Sequence, residues 1–168
     1  ILITNDAYLT GSHLNHMTLS LPIFHKGKLA AFACCMAHWI DIGGTIGGIT
    51  TDIYSEGLQI PIMKLRSAGV MNDDLVRLIR MNVRIPDRAM GDLRAQITAV
   101  TTGERRFGEL LARYGRAPVL SAIAAIMDQS ERAARARTRA IPDGEYEATS
   151  YMDDDGVEIG NRIPIKVK

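Results

Sequence analysis

Three imidazoles near the start of the chain, His13, His16 and His38, are the residues best suited to chemistry. The 168 residues hold only four histidines, so three at converging positions are unlike a scatter of surface side chains. Neutral imidazole is the commonest metal ligand among side chains. Two ligands close in sequence plus one from a neighbouring element is an ordinary way to assemble a divalent-metal site. The plain alternative is two loop histidines and one hydrogen-bonded core residue.

Whether the three converge depends on the elements between them. Met17 to Phe24 places apolar side chains at odd numbers, the alternation of a half-buried strand. His25-Lys26-Gly27-Lys28 is a polar turn with a glycine available for positive φ. Leu29 to Ala37 is apolar on both faces and is predicted to be an inner strand. Folding about Lys26-Gly27 brings His16 and His38 to one open end of a hairpin. A three-residue loop, Lys26 to Lys28, sets them opposite each other on one face; a two-residue loop shifts the register by one and separates them. We favour the first. Pro22 lacks a backbone donor, which predicts an edge strand or a bulge there. His13 can join His16 only if Gly11 to His16 forms a turn or short helical segment, since three residues is an odd step along a strand.

Composition permits one ordinary domain with its own core: 46% hydrophobic, 23% charged and a formal net charge of +1. Near-neutrality gives no sign of a nucleic-acid partner, and no apolar stretch approaches a membrane span. Adjacent Cys34 and Cys35 are predicted to be small buried hydrophobes in a reducing, cytoplasmic setting. Ile1 to Thr4 and Asn161 to Lys168 look like strands cut through, so a piece of a longer polypeptide is expected.

Two Gly-Gly pairs between Gly43 and Gly48 mark a loop, predicted to cover a substrate; they match neither a P-loop nor a dinucleotide fingerprint. Asn72-Asp73-Asp74 caps a helix to about Arg80. Pro86 opens a long helix ended by Gly115, with Met90, Leu93, Ile97 and Val100, then Phe107, Leu110, Leu111 and Tyr114, in its inward stripe. Pro118 starts a third helix bearing Val119, Ile123, Ile126 and Met127, which runs into an arginine-rich stretch that is a solvated or subunit-facing surface. Two strands follow, flanking the acidic turn Asp153-Asp154-Asp155-Gly156. The fold class is therefore α+β, part of a larger fold: residues 1–65 a sheet with metal-binding loops, 72–140 three helices, and 141–168 C-terminal strands.

Several segments, read in order, resemble one family. They are Asn5-Asp6-x-Tyr8 followed by Gly11-x-His13, then Ala37-His38-x-x-Asp41-Ile42-Gly43-Gly44, Glu56-Gly57-Leu58-Gln59-Ile60-Pro61, Gly91-Asp92-Leu93-Arg94-Ala95-Gln96, and Ile141-Pro142-Asp143-Gly144. Together they are similar to hydantoinase B, a family that includes one of the two components of N-methylhydantoinase, part of 5-oxoprolinase, and subunits of acetone and acetophenone carboxylases. The resemblance implies an ATP-dependent enzyme in two parts. An actin-fold ATPase partner, using ATP and magnesium, would activate a cyclic-amide substrate, and the B part would hold a metal and complete hydrolysis of the ring C–N bond. It also implies that His13 and His38 match the first and last metal ligands. His16 stands where the family usually has aspartate, which leaves zinc, manganese and iron all open.

On that reading Asp6 is a candidate fourth ligand or a partner to one. Asp41, one strand step past His38, orients a ligand or acts as general base, or else caps the Gly-Gly loop. Two other functions fit the same resemblance, an acetone- or acetophenone-type carboxylase subunit and a non-catalytic assembly subunit.

Overall fold

The computed structural model describes residues 1–11, 13–46, 50 and 52–168. Two compact units divide the chain, Ile1–Val119 and Leu120–Lys168. The first opens with strands β1 (Leu2–Thr4), β2 (His16–His25) and β3 (Lys28–His38). A short helix α1 (Ile53–Glu56) and a two-residue strand β4 (Met63–Lys64) come next. The order β3-β2-β1-β4 makes one antiparallel sheet. A small β5–β6 pair (Arg66–Ser67, Val70–Met71) leads to helices α2 (Asp73–Asn82) and α3 (Pro86–Tyr114).

The alternation in β2 does what its period requires. Met17, Leu19 and Ile23 are buried on one face, the face on which α3 lies across β2 and β3. Met90, Leu93 and Val100 of α3 complete that core with Ile3, Trp39 and Ile60, each full burial contributing about 2 kcal/mol. Gly103 allows the approach, since a Cβ there would sit 3.1 Å from the Ala33 Cβ. The predicted helix signals hold. Asn72 Oδ1 accepts from the Leu75 N–H at 3.0 Å to cap α2, Pro86 stands in the first turn of α3, and the Gly115 N–H closes it on the Leu111 carbonyl at 2.9 Å.

The hairpin reaches the expected register by a different route. Lys26 and Gly27 both have positive φ, 51° and 75°, so the loop has two residues and is of the type whose twist matches the strands. By itself that loop would split the two histidines. Between Ile23 and Phe24 the register shifts, however: Phe24 pairs with Leu29 while Ile23 pairs with Ala31, leaving Ala30 as a bulge. The extra residue restores the pairing of His16 with His38.

Three expectations are corrected. β3 is the edge strand and β2 is inner; Pro22 is accommodated beside the bulge. The second face of β3 is left uncovered by the described residues of this unit, so Phe32 and Met36 are half exposed, and Cys34 is exposed rather than buried. The inward stripe predicted for the second helix fails toward its end: Leu111 is buried, but Leu110 and Tyr114 are exposed, and α4 (Arg116–Arg139), which follows, has no buried residue along its own apolar stripe. Helical periodicity reports an apolar stripe, not the surface that covers it.

In the second unit α4 gives way to an antiparallel hairpin of β7 (Ala148–Met152) and β8 (Ile163–Val167). The acidic run is a turn, as expected. Asp154 accepts from the N–H groups of Gly156 and Gly160, and Asp155 from those of Val157 and Glu158. Among the described residues no single helix is long and apolar enough to cross a membrane.

Candidate metal centre

The structure brings the three histidines together. His16 opens β2, His38 closes β3, and the two are register partners. Between His13 and His16 the chain makes the required turn, the His16 N–H donating to the His13 carbonyl at 3.1 Å. Ring centroids lie 3.8 Å apart for His13–His16, 4.9 Å for His13–His38 and 5.7 Å for His16–His38. Gly11 passes close to His16; a Cβ there would meet the His16 side chain at 2.9 Å.

Polar side chains, Gln96 and Asn5 of them buried, hold the open end of the hairpin in place. The Trp39 backbone N–H donates to the Asn15 carbonyl at 2.8 Å, and Asn15 Nδ2 donates back to the Trp39 carbonyl at 2.9 Å. The Trp39 indole donates to Gln96 Oε1 at 2.8 Å, and Gln96 Nε2 donates to the Met17 and Cys35 carbonyls. From below, fully buried Asn5 donates to the Leu14 and Leu58 carbonyls and accepts from the Ile60 N–H at 2.6 Å. One asparagine thus ties β1, the His13 turn and the extended 58–60 segment to one another.

Electrostatics favour a neutral ring at His16. Partial burial, then the neighbouring His13 and His38, hold the His16 imidazole below its usual pKa, because adjacent protonated rings repel. A neutral ring keeps its lone pair for a cation. The geometry fits in part. Imidazoles bonded to one ion at 2.0–2.1 Å put their centroids about 4.5 Å apart at right angles and about 5.2 Å apart at the tetrahedral angle. The His13–His38 spacing lies in that range and His16–His38 just beyond it, while His13–His16 is too close. Accordingly, no group of three His, Cys, Asp or Glu side chains among the described residues is arranged as it stands to hold a metal. The donor types fit a divalent ion; the larger misfit is in the His13–His16 pair, and His13 lies on a turn rather than in a strand.

The two carboxylates singled out from the sequence sit differently. Asp41, its side chain only 9% exposed, accepts from the Gly43 N–H at 3.0 Å and from the N–H groups of Arg84 and Ile85 at the entry to α3, and pairs with the Arg84 guanidinium. Burial pushes its carboxyl up, but these donors and the Arg84 charge outweigh it and hold the pKa below the usual value. The Arg84 guanidinium also donates to the Gly44 carbonyl. Asp41 therefore clasps the loop leaving His38 to the α2–α3 junction. Asp6 shapes the following turn, Oδ1 accepting from the Tyr8 N–H at 2.9 Å, and lines a cavity of ≈ 220 Å³ with Leu14 and Ile60.

Of the glycine loop, Gly43 and Gly44 serve close approach: a Cβ would run into the Asn82 carbonyl at the first and the Glu56 carbonyl at the second. Gly47 and Gly48, half of the predicted substrate cover, lie outside the described residues. On the other side of His13 is a cavity of ≈ 450 Å³ lined also by Tyr8, Asp52 and Glu56. Sequence reading missed Asn5, Asn15, Gln96 and Arg84 as individual positioning residues. Asn5 and Gln96 did fall inside segments that carry the family resemblance, which was the available signal.

Over residues 1–168 the chain matches the family model described as Hydantoinase B/oxoprolinase. It is 38% identical over 164 residues to the caprolactamase beta chain of Pseudomonas jessenii, covering 95% of this chain and 28% of that protein. To the B component of the putative D-/L-hydantoinase of Pseudomonas sp. (strain NS671) it is 33% identical over 178 residues, covering 100% of this chain and 30% of the relative. The crystal structure of ATP-dependent caprolactamase from Pseudomonas jessenii superposes with a TM-score of 0.86 at 35% identity, over 99% of this chain and 30% of that one. The chain thus spans less than a third of the length of these relatives.

Proposed function

Because this chain belongs to the hydantoinase B/oxoprolinase family, we propose that the protein containing it is the B-type component of an ATP-dependent enzyme that hydrolyses the C–N bond of cyclic amides. A separate ATPase component, of the actin fold that the resemblance implies, supplies the activation. The observation that carries this reading is the convergence of three imidazoles at the open end of one hairpin, in a chain whose relatives bear the names caprolactamase and hydantoinase.

His13, His16 and His38 would hold a divalent cation. Such an ion supplies Lewis-acid polarisation of an amide carbonyl. The other residues do positioning work. Asn15, Trp39 and Gln96 fix the separation of the two strand-borne rings. Asn5 fixes the turn that carries the third. Asp41, by clasping the loop beyond His38 to Arg84 and Ile85, sets where the wall of the site stands; this is the orienting role, in preference to that of a general base. Asp6 shapes the floor through the Tyr8 turn.

The test is His38→Ala in the full-length protein assembled with its ATPase partner. Loss of stoichiometric divalent metal, together with loss of ATP-dependent opening of caprolactam, hydantoin or 5-oxoproline, is expected. Normal metal content and normal turnover would refute the assignment.

A further inference from the structure

The cavity beside His13 carries a carboxylate that the proposed reaction has not yet used. Glu56 ends α1 and faces the same ≈ 450 Å³ space as His13, Tyr8, Thr50 and Asp52, a volume within the about 300–1,000 Å³ of small-molecule sites. Its neighbour Asp52 is committed to the helix, Oδ1 accepting from the Ser55 N–H at 2.9 Å. Glu56 receives one long hydrogen bond from the Thr50 hydroxyl at 3.5 Å.

The backbone beneath Glu56 is fixed from two sides, more firmly than a four-residue helix would be alone. The Thr45 N–H donates to the Ser55 carbonyl and the Leu58 N–H to the Ile42 carbonyl, both at 2.8 Å. Gly44 lies so close under the Glu56 carbonyl, and Gly57 under the Ile42 carbonyl, that neither position has room for a Cβ. The segment leaving His38 is therefore interlocked with α1 on one side and, through Asp41, with the α2–α3 junction on the other.

We infer that Glu56 is a specificity-determining residue, its carboxylate accepting the ring N–H of a cyclic amide while the carbonyl oxygen of the same amide is turned to the imidazole group. The inference rests on the cyclic-amide reading above. In small lactam rings the amide is held cis, so N–H and C=O project side by side. One cavity offers that side-by-side pair both an anionic acceptor, Glu56, and an imidazole of the histidine group, His13. The consequence is selectivity for amides that carry N–H over their N-alkylated counterparts, since an N-methyl group would desolvate the carboxylate without giving it a donor.

The experiment uses the full-length protein with its ATPase partner, offering caprolactam and 5-oxoproline, each beside its N-methyl counterpart. With Glu56→Ala, kcat/KM for the N–H substrates falls roughly 10- to 100-fold, mostly through KM. The N-methyl substrates lose little, so discrimination collapses. Glu56→Gln, whose carbonyl still accepts an N–H, keeps most of the discrimination, and metal content is unchanged in both variants. Equal losses on both substrate classes, or no loss, overturn the inference while leaving the cyclic-amide reading intact. A wild-type complex that holds its metal but opens none of these rings overturns both.

Discussion

Removing the amide of Asn5 is the perturbation most directly predicted by the way the imidazole group is held. In the variant Asn5→Ala three partners lose their bonds: the Leu14 and Leu58 carbonyls and the Ile60 N–H. Asn5 is 1% exposed, and the bonds to Leu14 and Ile60 are buried while that to Leu58 is partly so. A buried group left unsatisfied costs about 1–3 kcal/mol. Counting the Leu58 carbonyl as rewetted, the two remaining groups and the small cavity bring the expected loss to about 3–5 kcal/mol, a large part of a typical stability. Denaturant unfolding of the full-length protein measures it. Asn5→Asp separates polarity from shape, because it keeps an acceptor for Ile60 but points a second carboxylate oxygen at two carbonyls; it should be at least as damaging near neutral pH and partly relieved in acid. Metal content should fall in both, since the His13 turn loses its tether. A loss under about 1 kcal/mol for Asn5→Ala, or wild-type stability for Asn5→Asp, would refute the reasoning.

Two further outcomes follow from the loop beyond His38. Asp41 has its carboxyl held below the usual pKa in the folded protein, so its stabilisation is present above the ordinary carboxylate range and is lost as pH falls through the lowered value. Asp41→Asn is therefore destabilised near pH 7, and its deficit against wild type narrows below about pH 4, which paired unfolding curves across pH would show. Gly44→Ala combines positive φ with a collision against the Glu56 carbonyl and should cost about 2 kcal/mol or more. Gly27→Ala, with positive φ but open space around it, should cost about 1 kcal/mol; equal losses would show that the contact with Glu56 is not restrictive.

Much of this was legible in the residues. The alternation of β2, the cap at Asn72 and the Pro86–Gly115 bracket each specify local backbone, and each appears where its chemistry requires. The meeting of His16 with His38 is expected from a three-residue turn, yet it arises from a two-residue turn plus a bulge at Ala30. Either path adds one residue to the same side of the hairpin, so the outcome was readable while its cause was not. What failed was the environment of faces. Leu29 to Ala37 is apolar enough to be enclosed, and Leu110 and Tyr114 continue the inward stripe of α3, but apolarity states what a surface prefers and not which element meets it. Asp41 was recognisable as a residue of consequence, although its partners at Arg84 and Ile85 lie more than forty positions away and no local pattern points to them.

The position of β3 at the sheet margin has a practical bearing on handling. Eleven residues long, with Phe32 and Met36 half exposed, it offers a row of main-chain donors and acceptors to any other strand that passes. Expressed as an isolated piece, this region is a template for intermolecular strand addition on the edge of β3 away from β2. Metal-loading and turnover measurements are therefore best read on the intact assembly, where a clean stoichiometry would report on chemistry rather than on self-association.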